Sequence, residues 1–143
     1  MTDEVAPYAD DEEVLEVVRK FEACEYAPDE FGHGLHLTVA LVYLLESGYA
    51  GALERMRRGL REFVGRHKLT GVYHETLTVF WMRRVRAFVE RADGGLGPAA
   101  LAGQLARACA DSRVVFDYYT RERLHSEEAS AGWLDPDLKP LDF

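Results

Sequence analysis

Residues 31–50, FGHGLHLTVALVYLLESGYA, decide how this chain folds. From Leu35 to Leu45 nearly every position is apolar, so a helix over 33–47 has no wet face and must be the most enclosed element. Gly48 ends it. Yet this helix opens with His33 and His36, which three-residue spacing stacks on neighbouring turns of one face.

On the N-terminal side, residues 11–25 follow an acidic start suited to a helix N-terminus and put Leu15, Val18, Glu22 and Glu25 on one stripe. Pro28 and Gly32 break the pattern. On the other side, Leu53, Met56, Leu60, Val64 and His67 recur at amphipathic spacing over 49–67, and Gly71 closes that segment. A fourth helix over 72–92 carries His74, Thr78, Trp81, Val85 and Phe88, and DGGLG stops it. A shorter fifth runs over 98–110 with Pro98 in its first turn.

Ser126 before two acids reads as the start of a short helix, and WLDPDLKPLDF, with two prolines and no period, as an extended tail. No repeat and no hairpin signal interrupts this order. The expected fold is all-α: an up-and-down bundle of four main helices, a short fifth helix and an extended C-terminal tail. Residues 1–10 are expected to form a disordered acidic N-terminus and 11–143 a single helical domain.

At 143 residues and 48% hydrophobic content, the chain can bury a sizeable core without staples. A formal charge of -8 and a pI near 5.1 argue against nucleic acid, which needs an excess of Lys and Arg on one face. The basic cluster RMRRGLREFVGRHK alternates with apolar residues and reads as the wet side of a helix. No apolar run of about 20 residues exists to span a membrane, and the first residues lack a secretion signal. Cys24 and Cys109 lie far apart without CxxC spacing, so neither a disulfide scaffold nor a thiolate zinc site is expected. A cytoplasmic protein is the expectation.

Antiparallel packing of successive helices brings the unusual residues to one pole. Glu22 and Glu25 end the first helix, His33 and His36 open the second, His67 ends the third, and His74 with Glu75 begins the fourth. Burying such groups unpaired costs about 1–3 kcal/mol each, and more for a charge. A divalent metal ion satisfies them well. His36, His74, His33 and Glu22 form a histidine-plus-carboxylate set suited to iron or zinc, with manganese a further candidate. Glu75, pointing away from the ligand positions, suits a general acid or base, and Tyr73 or Tyr43 can offer a hydroxyl. The plainer readings are that His67 meets a helix end, that His33 lies in an exposed first turn, and that the others are hydrogen-bonded core residues.

The motifs FEACE, FGHGLHLTVALVYL, YHETLT and GWLDPDLKPL resemble those of a family of short bacterial helical proteins marked by F-x-H-x-x-H-L and Y-H-E-T-x-T. The likeness runs from about residue 14 to the end and implies that Glu22, His33, His36, His74 and Glu75 form one constellation. It names no substrate. Cys24 and Gly34 depart from the pattern.

The leading expectation is therefore a metal-dependent enzyme acting on a small-molecule substrate, with non-heme iron oxidoreductase chemistry ahead of zinc-dependent hydrolysis or elimination. The competing one is a non-catalytic helical module that binds a ligand or partner through its polar pole. Assembly into a homo-oligomer is left open.

Overall fold

The structure, a computed structural model, describes residues 8–69 and 73–143. Among these it is helical throughout, with no strand. In order come α1 (Asp11–Glu22), α2 (His33–Arg66), α3 (Glu75–Arg91), α4 (Pro98–Ala108), a 3-10 turn (Ser112–Asp117), α5 (Arg121–Leu124) and α6 (Glu127–Ala131).

A straight helix of the 34 residues in α2 would run about 50 Å. Instead the rings of Phe31, just before its start, and Phe63, near its end, lie 5.6 Å apart. The reversal is at Gly48, whose φ of 71° and ψ of 178° fall in a region open essentially to glycine alone. Element α2 is therefore two antiparallel arms, 33–47 and 49–66. Arg55 closes the turn, donating to Glu46 at 2.9 Å and Ser47 at 3.0 Å. With α1 and α3 the arms make the four main rods of the expected bundle, and α4 is the short fifth.

The first helix is capped by Asp10, whose carboxylate accepts from the Glu13 N–H at 3.0 Å. It buries Val14, Val17, Val18 and Phe21, an i, i+3, i+4, i+7 stripe. The stripe expected through Leu15 is corrected: Leu15 is 46% exposed. Phe21 sits on the bare backbone of Gly59, where a Cβ would stand only 2.5 Å from the ring. Both α1 and the second arm end in a left-handed residue that is not glycine, Cys24 and Lys68. In each case the next N–H reaches back to the helix, from Glu25 to Lys20 and from Leu69 to Val64, both at 2.9 Å.

Two apolar clusters flank α3. One joins α1, both arms of α2 and α4; the other gathers Val115, Tyr118, Tyr119 and Leu124 around Phe80. The tail lies on this second cluster, with Tyr119 donating to the Leu134 carbonyl at 2.6 Å and the Leu138 N–H to that of Tyr118 at 2.9 Å. Ser126 caps α6 through the Ala129 N–H, as its sequence context predicts.

The expected disorder of 1–10 lies, for residues 1–7, outside the described residues; Tyr8, just beyond them, hydrogen-bonds Thr38 at 3.0 Å. Gly71 and Val72, taken to close one helix and open the next, also lie outside them. No helix among the described residues is long and apolar enough to cross a membrane.

Candidate functional site

Where α2 begins, its second arm ends and α3 starts, the packing leaves a cavity of about 440 Å³. His33, His36 and His74 all line it, together with Tyr73 and Thr78. The rest of the wall is apolar, with Phe31, Phe63, Leu60, Leu77 and Trp81 prominent, and among the described residues no Asp, Glu, Lys or Arg lines it.

Convergence does not make these imidazoles a ligand set, because each is tied to the main chain through at least one ring nitrogen, and His74 through both. His74 is the N-cap of α3, not part of its first turn. Its Nδ1 accepts from the Leu77 N–H at 3.1 Å, so the proton is on Nε2, which donates to the Leu124 carbonyl at 2.6 Å. Neither nitrogen is left for an ion. The cap works because Nδ1 stands as many bonds from Cα as the side-chain oxygen of asparagine, a preferred N-cap.

His33 donates from Nε2 to the Cys109 carbonyl at 2.8 Å, pinning the start of α2 to the end of α4, and sets its ring edge-on to Trp81 at 4.7 Å. His36 donates from Nδ1 to the Gly32 carbonyl at 3.0 Å and leans on Phe31 with ring centroids 4.2 Å apart. Burial is the main reason its pKa falls from the ordinary 6.5 to about 4, with a smaller push from His33 and partial opposition from Gly32.

The carboxylates are elsewhere. Glu22 accepts from the Tyr43 hydroxyl at 2.6 Å and, more loosely, from Arg55 at 3.4 Å. Tyr43 lies seven residues beyond His36 on the first arm, about 10 Å along its axis. Glu75 is buried beside the cavity, held by Arg57 at 3.0 Å and by the Tyr73 hydroxyl at 2.6 Å. Burial pushes the Glu75 carboxyl up, but hydrogen bonds from Arg57 and Tyr73 and the charges of Arg57 and Arg61 outweigh it, and the net shift is downward. Burial first, then Glu75, moves the Tyr73 phenol up to about 12, so it is a fixed donor at neutral pH.

Among the described residues no group of three or more His, Cys, Asp or Glu is placed to hold a metal ion. The metal centre expected from His36, His74, His33 and Glu22 is thereby corrected, and with it the divalent cofactor, whether iron, zinc or manganese. The metal-dependent oxidoreductase, hydrolase or lyase built on it is corrected too. The physical reason is that main-chain groups occupy both nitrogens of His74 and one each of His33 and His36, while Glu22 is held by Tyr43 and Arg55 away from them.

The remaining histidines are local. His67 follows the second arm with its ring 4.5 Å from that of Phe63, its Nε2 buried without a partner among the described residues. His125 ends α5 and meets Phe116 edge-on.

Two residues that sequence reasoning passed over hold the site together. Thr76, fully buried, donates to the Gly132 carbonyl at 2.7 Å and accepts from the Leu134 N–H at 3.1 Å, tying the tail to the start of α3. Arg57, read as a solvated residue, neutralises Glu75. The signal for Thr76 was its place directly after the cap and first residue of α3, YHET, where a small hydroxyl can reach across.

The class so defined is a helical bundle with a partly open, largely apolar cavity at one pole, lined among the described residues by no charged side chain. No family model, no curated protein and no solved structure matches the chain.

Proposed function

We propose that the chain is a binding module for a small, uncharged, mainly apolar molecule held in the polar-end cavity. The observation that carries this is the lining: about 440 Å³ of space, within the range of ligand pockets, walled mainly by aromatic and aliphatic side chains with no charged residue among those described. An ionised ligand would enter without a counter-charge and lose its hydration, which is heavily unfavourable. The constellation implied by the resemblance then reads as a pocket and its supports: His36 and His33 on the wall, His74 and Glu75 bracing it.

A cytoplasmic setting agrees with two free thiols, Cys24 and Cys109.

The test compares toluene with benzoate. Toluene at 100 times its Kd is expected to raise the unfolding free energy by about 2.7 kcal/mol, and benzoate to do nothing. Ala40→Leu, which extends a side chain from the cavity wall into the void, should stay folded and lose the toluene effect. Equal binding of benzoate, or toluene binding that Ala40→Leu leaves intact, would overturn the proposal.

A further inference from the structure

Two ring nitrogens of lining residues have no hydrogen-bond partner among the described residues: Nδ1 of His33, at the first residue of α2, and Nε2 of His36, three residues further into the helix and against Phe31. His36 gives its Nδ1 proton to Gly32, and a carbonyl can only accept, so the proton of the neutral ring is on Nδ1 and Nε2 carries a lone pair. Among the described residues Nε2 has no hydrogen-bond partner. It is not sealed in either: the buried unpartnered nitrogens are His67 Nε2 and Arg84 Nε. His36 is a cavity-lining residue, and Nε2 is its one ring nitrogen free to meet an occupant. The polar side chains of the lining other than these two histidines are engaged. The His74 nitrogens are both engaged, the Tyr73 proton goes to Glu75, and Thr78 gives its own to the His74 carbonyl at 2.8 Å.

The rings around this atom set a shape. The Phe31 ring lies 4.2 Å from that of His36 and 5.6 Å from that of Phe63, and the Trp81 and His33 rings, also on the lining, meet at 4.7 Å. Such walls offer both faces and edges to a planar π-system.

We infer that the occupant is a flat, uncharged ring bearing one O–H or N–H group, which donates to Nε2 of His36. This rests on reading the cavity as a binding site and adds the class of molecule it selects. A donor is required because this atom is an acceptor; a ring with only an acceptor would face a lone pair. Burial keeps the imidazole neutral, and hence accepting, down to about pH 4. The titratable groups that share the lining with it are His33, His74 and Tyr73, and among the described residues no formal charge from an acid, lysine or arginine faces it there.

Three probes of matched shape make the test: 4-methylphenol, 4-methylanisole and toluene, titrated by calorimetry at pH 7. The phenol is expected to bind about five- to tenfold more tightly than either donor-free probe, the worth of one net hydrogen bond. In His36→Leu that preference should vanish while toluene still binds. On the unaltered protein, the phenol's preference over toluene should hold from pH 7 to about 5 and fall as the pH passes through about 4, where Nε2 gains a proton and stops accepting. Equal affinity of all three probes, or a preference that survives His36→Leu, overturns the inference and leaves the binding module standing. Failure of all three to bind overturns both. If the probes compete with a concentration-dependent dimer in sedimentation, the cavity belongs to a second copy and the inference fails.

Discussion

On the α3 wall of the cavity His74 spends both ring nitrogens on the chain and Tyr73 hands its proton to Glu75; on the α2 wall His36 spends one nitrogen and keeps the other free. The residue types are the same and the enclosure is shared. What differs is the supply of main-chain partners. The start of α3 lies under the carbonyl of Leu124 and against the tail, whereas at the start of α2 His36 meets only the carbonyl of Gly32 and His33 only that of Cys109. A polar side chain on a cavity lining is thus a brace or a contact, and the partners of its individual atoms decide which.

The sharpest break in this contrast is Glu75→Gln. It strips the charge that Arg57 and Tyr73 are built around and should lower stability by about 2–3 kcal/mol in urea unfolding. His74→Ala follows at about 2 kcal/mol, losing a cap and a tie to Leu124, and His74→Asn should recover the cap share, roughly half. On the other wall His36→Leu should cost under about 1 kcal/mol at pH 7, because an apolar side chain suits that lining.

Acid separates the walls further. The folded pKa of His36 lies below its ordinary 6.5, so between 6.5 and about 4 the unfolded chain binds the extra proton and stability falls with pH, by about 1–2 kcal/mol since the cavity admits solvent. Glu75 is shifted downward from 4.5, so its contribution is complete above that value and is lost only as pH falls through the depressed pKa. His36→Leu should flatten the upper limb of the stability curve and Glu75→Gln the lower; the reverse assignment would refute the division of labour. The smallest change is expected at Glu22→Gln, about 0.5 kcal/mol, because that carboxylate is 48% exposed and its ion pair is screened.

Much of the architecture is legible in the residues. The apolar run before Gly48, the amphipathic spacing after it and Pro98 at the first turn of α4 fix the rods and their order. The gathering of His33, His36 and His74 follows from that order. Their chemistry does not. Whether His74 can bind anything depends on a carbonyl 50 residues downstream landing on Nε2, a long-range fact without a local signature. The misplacement of Glu22 has a simpler source. Stripes through Leu15 and through Val14 differ by one residue, about 100° of helix rotation, and the burial of Phe21 selects the second and turns Glu22 towards Tyr43 and Arg55. His74 as a cap was hidden because imidazole is a rare choice for that position.

Gly48 has a consequence at the far end of the molecule. The two jaws of the cavity, one bearing His36 and the other Phe63, grow from the same hairpin, and His36 lies twelve residues, about 18 Å, from the pivot. A change of about 10° at that single backbone torsion moves the jaw tip by about 3 Å without touching any residue that meets the ligand. Bore and chemistry are therefore written in separate places along the chain, and a descendant could retune the size of its guest while leaving the recognition atom untouched.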